Sequence, residues 1–314
     1  MNTDMLTLYG PWPETDVPVH TTLMHRLDLP GRTLAQWRVD IGPTGTLGWT
    51  LFVLAPEGVP RCDVLLSPDG CWPHVLSHEA STAVLDEGVA LAWFSRTELA
   101  HDGPQAWRAG PVHARWPGVP WSAMAVWAWG LCRSADALVQ QMGERLGALG
   151  VVGHSRGGKA ALLAGAMDPR FAAVIAHNSG TGGAASLQVQ GEGAETLAEL
   201  ATRFAHWLAP QAAQAEVQQA LVARDAPRAW LQAIAPRGLC ILQAHDDAWA
   251  NPLGTRHMVE QLRPAWRQAP ERLRWQERGG GHAMGVQDWR AAARFLREVA
   301  AQAHAPPTDN CDSA

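Results

Sequence analysis

Gly153-His154-Ser155-Arg156-Gly157 fits Gly-x-Ser-x-Gly, with an apolar run, Leu149–Gly153, before it and an alanine-rich helical run, Arg156–Met167, after it. That context is what a serine nucleophile needs. A sharp strand-to-helix turn lifts Oγ above the sheet edge, and small residues on either side let strand and helix approach. The new helix points its N-terminal N–H groups at the site, which suits a developing oxyanion. The plainer reading, Ser155 as a helix N-cap, does not explain glycines on both sides. A serine needs a base, and the base needs an orienting acid. The histidines after Ser155 are His177, His206, His245, His257, His282 and His304. His282 follows Gly279-Gly280-Gly281 and precedes the last helical run, so a flexible loop delivers it. His177 and His206 are its rivals, the first read as a satisfied structural histidine and the second as a helix-packing one. Asp246 and Asp247 lie just past an apolar run and are the candidate acids. Ser155, Asp247 and His282 stand in the order nucleophile, acid, base.

The elements that must position these groups can be read from periodicity. Residues 1–30 read as an irregular, proline-rich lead-in. Short β-type runs follow at Leu34–Ile41, Trp49–Leu54, Asp63–Leu66 and Val89–Phe94, separated by Gly and Pro clusters. From about 120 helices and strands alternate: helices over Ser122–Gly143, Arg156–Met167, Thr196–Leu208, Ala212–Ala223, Pro252–Leu262 and Asp288–Ala303, strands over Leu149–Gly153, Phe171–Ala176, Leu239–Gln243 and Leu273–Glu277. Hairpin strands followed by strict alternation predict one α/β domain over residues 1–314, its mostly parallel sheet covered by helices on both faces. Residues from about 305 read as a frayed tail.

Composition narrows the function. The 314 residues carry a formal charge of -5, 47% hydrophobic and 18% charged residues, which fits a globular chain and argues against a nucleic-acid or anionic-membrane binder. No run approaches the roughly 18 apolar residues of a membrane span. The N-terminus shows no export signal, so the sequence as written reads as cytoplasmic, or as secreted or periplasmic if a signal once preceded it. Five scattered cysteines form no Cys-x-x-Cys pair, so neither a zinc site nor a disulfide framework is expected. No cofactor is expected. Lys159 is the one lysine among 25 basic residues.

Several separate blocks, in order, resemble the glucuronoyl esterases, carbohydrate esterase family 15, within the α/β-hydrolases. They are Ala128-Trp129-Gly130-Leu131, the run 153–185 with Ser155-Arg156-Gly157-Gly158-Lys159, Phe204-Ala205-His206-Trp207, Ile234-Ala235-Pro236-Arg237, residues 247–252 and residues 280–289. The resemblance covers about 120 to 295 and implies an α/β-hydrolase fold and cleavage of (4-O-methyl-)glucuronate esters of aromatic or alkyl alcohols. It implies Ser155 as nucleophile, His282 as base and Arg156 as oxyanion stabiliser, through its backbone N–H and a charge-assisted guanidinium. The loop Ser67-Pro68-Asp69-Gly70, after the third strand by this reading, loses one N–H to its proline, so a side-chain donor is a sensible substitute. Lys159 matches the family lysine that binds sugar hydroxyls. Trp249 matches the tryptophan beside the sugar. Glu195 fits the family's sugar-site glutamate, with Glu192 as its rival.

The departures matter too. Many relatives carry an acid where this chain has Asn178, and a neutral amide cannot stabilise an imidazolium, so the acid role rests on Asp247. Trp-Ala-Asp-Pro becomes Trp249-Ala250-Asn251-Pro252. The chain is short for the family, which implies an open, shallow site. The expected partner is a small-molecule or oligosaccharide uronate ester as substrate, with no nucleic acid and no membrane, and the chain is expected to be a monomer. Two other functions compete: a general acetyl or aryl esterase of the same fold, and a non-catalytic carbohydrate-binding protein.

Overall fold

The computed structural model describes residues 3–13, 17–42 and 47–304. The expected frayed tail falls outside them.

Among the described residues nine strands share one sheet, in the order β1-β2-β3-β5-β4-β6-β7-β8-β9. The strands are β1 (Val19–Leu29), β2 (Arg32–Ile41), β3 (Gly48–Pro56), β4 (Cys62–Ser67), β5 (Ala90–Trp93), β6 (Leu146–His154), β7 (Phe171–His177), β8 (Gly238–Ala244) and β9 (Leu273–Arg278). Pairs β1–β2, β2–β3 and β3–β5 are antiparallel, and every pair from β5 across to β9 is parallel.

Ten α-helices accompany them among the described residues: α1 (Thr3–Tyr9), α2 (His78–Asp86), α3 (Pro111–Arg115), α4 (Ala123–Met142), α5 (Arg156–Met167), α6 (Leu197–Arg203), α7 (Ala215–Ala223), α8 (Pro227–Gln232), α9 (Pro252–Leu262) and α10 (Val286–His304). The period-2 alternation of strand side chains divides the core. Val64, Leu66, Val151, Val174 and Ala176 pack into one cluster with residues of α4 and α5. Their alternates Leu65, Val152, Ala173 and Ile175 pack into a second with residues of α2 and α10. A parallel sheet buried on both faces explains why these strands read as continuous apolar runs.

The α/β architecture matches the expectation, with local corrections. The lead-in is not irregular: it contains α1 and an 11-residue strand, β1, hairpinned to β2 through Pro30 and Gly31. Counting β1 makes the strand before Ser67-Pro68-Asp69-Gly70 the fourth, not the third. The helix expected over Thr196–Leu208 stops at Arg203, and Ala205–Trp207 forms a separate 3-10 turn. Helices α2, α3 and α8 add to the expected set.

Candidate active site

The β6–α5 junction creates the site. Ser155 sits at φ 55, ψ −119, and its side chain makes no capping bond. The N-cap reading of Ser155 therefore fails. A positive φ at a non-glycine costs on the order of 1–3 kcal/mol and persists where surroundings enforce it. Here the enforcement is visible. The Ser155 N–H donates to the His177 carbonyl at 2.8 Å. A Cβ on Gly153 would stand 2.1 Å from the Gly157 carbonyl oxygen, and one on Gly157 would stand 2.1 Å from Asp69 Oδ1. Both glycines are required by contact, as the motif predicts.

Asp69 is a fully buried carboxylate beneath the turn. It pairs with buried Arg96 and accepts from the His154 N–H at 2.7 Å. Burial pushes its carboxyl up, against the opposing charge of Arg96. The loop carrying Asp69 therefore braces the elbow.

His282 arrives on the loop after β9. Its Nδ1 lies 2.6 Å from Asp247 Oδ2, with the Asp247 side chain 5% exposed and the imidazole 47% exposed. Asp246 faces elsewhere: it accepts from the Gly280 N–H at 2.7 Å and touches His245. Asn178, in left-handed backbone at φ 45, accepts from the Ala244 N–H at 2.8 Å and donates to the His282 carbonyl at 3.5 Å. The Asn178 amide thus ties β8 to the histidine loop.

A cavity of about 90 Å³ is lined by Ser155, Arg156, Lys159, Glu195, Trp249 and His282, together with Asn178, Gly180, Phe204, Trp207 and Ala250. Asp247 stands behind His282. All seven residues singled out from the sequence thus converge. Glu195 is buried on this cavity while Glu192 is exposed on the preceding turn. His206 is drawn instead to Asp102 at 3.2 Å, and His177 lies buried beside His154.

Arg156 is held on several sides. Its Nη1 donates to Asp102 Oδ2 at 2.7 Å, and its guanidinium lies over the rings of Trp207, Trp72 and Phe204 at 4.6, 5.0 and 5.6 Å. Asp102 also accepts from Trp207 Nε1 at 3.0 Å. Burial works to raise the Asp102 carboxyl, but hydrogen bonds from His206, Arg156 and Trp207, with the Arg156 charge, hold it well below the usual carboxylate range. The sequence reading did not find Asp102, Trp72 or Asp69. Their partners lie tens of residues away, so no local spacing marks them.

Lys159 is buried and donates from Nζ to the Ser179 carbonyl at 2.6 Å. Burial pushes its ammonium down, opposed chiefly by the Glu195 charge. Burial likewise pushes the Glu195 carboxyl up, opposed by Lys159. Arg156 Nε and Glu195 Oε1 are buried without a hydrogen-bond partner. Both residues line the cavity, and these two atoms are polar capacity that the chain itself leaves unused. Trp249 carries the Arg203 guanidinium at 4.9 Å over its ring. Asn251, in left-handed backbone, caps α9 through the Gly254 N–H at 2.9 Å and binds the Gly191 N–H at 3.1 Å.

A larger cavity, about 510 Å³, lies between the β1–β3 ribbon and α4, with Trp37, Leu51 and Leu138 in its walls. It shares no residue with the Ser155 site and holds no nucleophile–base pair, so size alone misplaces the chemistry. Among the described residues, no three His, Cys, Asp or Glu side chains converge to hold a metal ion, and no helix is long and apolar enough to cross a membrane.

Comparison with known proteins finds glucuronoyl esterases. A 4-O-methyl-glucuronoyl methylesterase from Phanerochaete chrysosporium is 28% identical over 233 residues, covering 68% of this chain and 48% of its own length. The chain thus spans about half the length of the curated relatives it matches. A glucuronoyl esterase from Solibacter usitatus superposes with a TM-score of 0.80 at 23% identity, over 94% of this chain and 90% of that one. A glucuronoyl esterase variant from Sporotrichum thermophile, solved with methyl 4-O-methyl-beta-D-glucopyranuronate, superposes with a TM-score of 0.70 at 21% identity, over 93% and 79%. These likenesses establish the α/β-hydrolase fold. The family model described as glucuronyl esterase, fungi, matches residues 61–269, well over half of the chain. The chain belongs to the glucuronoyl esterases of carbohydrate esterase family 15.

Proposed function

We propose that the chain is a serine carboxylesterase that hydrolyses esters of glucuronic or 4-O-methylglucuronic acid through an acyl-enzyme on Ser155. The observation that carries this reading is one small cavity shared by an elbow serine, a carboxylate-bound histidine, a clamped arginine and a buried Lys–Glu pair. Ser155 Oγ attacks the ester carbonyl while His282 Nε2 takes its proton. Asp247 holds Nδ1–H and stabilises the imidazolium. Arg156 and the N-terminus of α5 stabilise the oxyanion. His282 then returns the proton to the leaving alcohol, and water repeats the sequence to free the acid.

Sugar recognition falls to Lys159 and Glu195. An ammonium donates to hydroxyl oxygens and a carboxylate accepts from hydroxyl hydrogens, so the pair reads vicinal hydroxyls from both sides. Trp249 offers an apolar face beside them. The alcohol of the ester points out past the half-exposed His282.

The test compares kcat/KM on benzyl glucuronate, benzyl galacturonate and p-nitrophenyl acetate. The reading expects clear preference for glucuronate. Equal rates on all three, or preference for the acetate, would favour a general esterase. No turnover of any ester would favour a binding protein.

A further inference from the structure

Beneath the catalytic histidine lies a chain of buried polar side chains that the mechanism above does not use. Arg278, the last residue of β9, donates from Nε to Asp288 Oδ1 at 2.8 Å and from Nη2 to Asp288 Oδ2 at 2.9 Å. The same Nη2 stands 3.1 Å from His177 Nε2. His177 Nδ1 stands 2.9 Å from His154 Nδ1. The His154 ring then packs on the His282 ring, with centroids 4.7 Å apart and planes 53° apart.

Arg278 Nη2 has two protons and three acceptors in reach, Asp288 Oδ2, the Ala283 carbonyl and His177 Nε2, and shares them. A guanidinium only donates, and the shorter contact, 3.1 Å to Arg278 Nη2 against 3.5 Å to Asp288 Oδ2, makes His177 Nε2 the acceptor. Asp288 Oδ2, 3.5 Å from His177 Nε2, already accepts at shorter range from Arg278 and from the Gly285 N–H at 2.7 Å. A neutral His177 therefore carries its proton on Nδ1 and donates to His154 Nδ1. His154 must accept there and carries its own proton on Nε2. Reversing one ring alone sets two N–H groups or two lone pairs against each other, and reversing both gives up the 3.1 Å Arg278 contact for the 3.5 Å one to Asp288.

We infer that Arg278 and Asp288 are positioning residues for the catalytic base, acting through a tautomer-ordered His177–His154 pair that carries the face of the His282 ring. The inference rests on the reading of His282 as the base. Asp247 fixes one edge of the His282 imidazole and leaves rotation about that contact. A ring of fixed orientation against its face removes the rotation.

Neutrality is the second requirement, since a cation at His154 would oppose the imidazolium that forms on His282. Burial supplies it. His177 is pushed down to about 4 by burial, with Arg278 and His282 lowering it further and Asp288 and Asp247 opposing. His154 is pushed down by burial and by the facing His177, His282, His74 and Arg96. Both rings are uncharged where His282 works.

The test uses the full chain labelled with 15N histidine. At neutral pH the expected signals are a protonated Nδ1 on His177 and a protonated Nε2 on His154. His177→Leu should scramble the His154 tautomer and lower kcat on benzyl glucuronate about tenfold or more, with KM within about twofold. His177→Gln should recover most of that loss, because its amide can accept from Arg278 and donate to His154 together. If His177→Leu does not fold, Arg278→Met replaces it, since it removes the ordering donor and leaves both rings in place. A His177 proton on Nε2 overturns the inference. So does an equal loss in the Leu and Gln variants, which would mean packing alone, or full kcat with a scrambled His154. A wild-type chain that turns over no uronate ester sinks the functional reading, while the tautomer signals still decide the ordering.

Discussion

Asp247→Asn isolates the charge of the acid while keeping its shape. In the resting state Asp247 Oδ2 lies 2.6 Å from His282 Nδ1. When the imidazolium forms, the two become opposite unit charges. At an effective dielectric of about 20 their attraction is about 6 kcal/mol. The carboxylate is buried, but the imidazole is 47% exposed, so water screens the pair. Taking roughly half of the Coulomb value leaves about 3 kcal/mol, which is about a hundredfold in kcat. KM should hold, since neither group binds the sugar. The matched control is Asp246→Asn. Asp246 is 58% exposed and braces Gly280 rather than His282, so its loss should cost less than about threefold. Steady-state kinetics on benzyl glucuronate, with circular dichroism to check folding, reads both. An Asp247→Asn enzyme within about threefold of wild type, or an Asp246→Asn enzyme down a hundredfold, would refute the assignment.

Three further outcomes follow from the same contacts. Gly157→Ala forces a Cβ against the buried Asp69 carboxylate, which Arg96 and the His154 N–H hold in place. It should cost about 2–3 kcal/mol in urea unfolding, and an unchanged midpoint would contradict the bracing role. His177 is depressed to about 4 in the folded chain, below its ordinary 6.5, so between these values the unfolded state binds more protons. Its stabilisation is complete above about pH 6.5 and declines as pH falls toward 4, by about 3 kcal/mol. His177→Gln should flatten that slope, and an identical slope in the variant would contradict the assignment. Lys159→Ala should lower kcat/KM on the glucuronate ester by about 1–3 kcal/mol and barely change p-nitrophenyl acetate, whereas equal losses would make Lys159 structural.

Much of the site is legible in the sequence because its parts are local. Gly153 and Gly157 flank Ser155 for reasons of contact that any strand-turn-helix imposes. Gly279-Gly280-Gly281 marks the loop that swings His282 over the sheet. The choice of Asp247 over Asp246 becomes visible only in the fold, where the two side chains take different partners. Strand β1 escapes the sequence reading for a physical reason. Nearly all its side chains are solvated, so it shows no alternation, and only the turn dipeptide Pro30-Gly31 marks it, with Gly31 at φ 71. Asp102 escapes because its ligands, Arg156, His206 and Trp207, come from far along the chain. The His154–His177 pair escapes because neighbouring parallel strands, not sequence spacing, set the two rings side by side.

The central claim is that Ser155 is the nucleophile of an ester hydrolase. Its most direct measurement is the kcat of Ser155→Ala on benzyl glucuronate, with the unfolding midpoint measured on the same sample. The account predicts a loss of several orders of magnitude at an unchanged or slightly raised midpoint, since alanine removes only an oxygen from the turn. A variant that keeps its fold and retains turnover within about tenfold of wild type would contradict it.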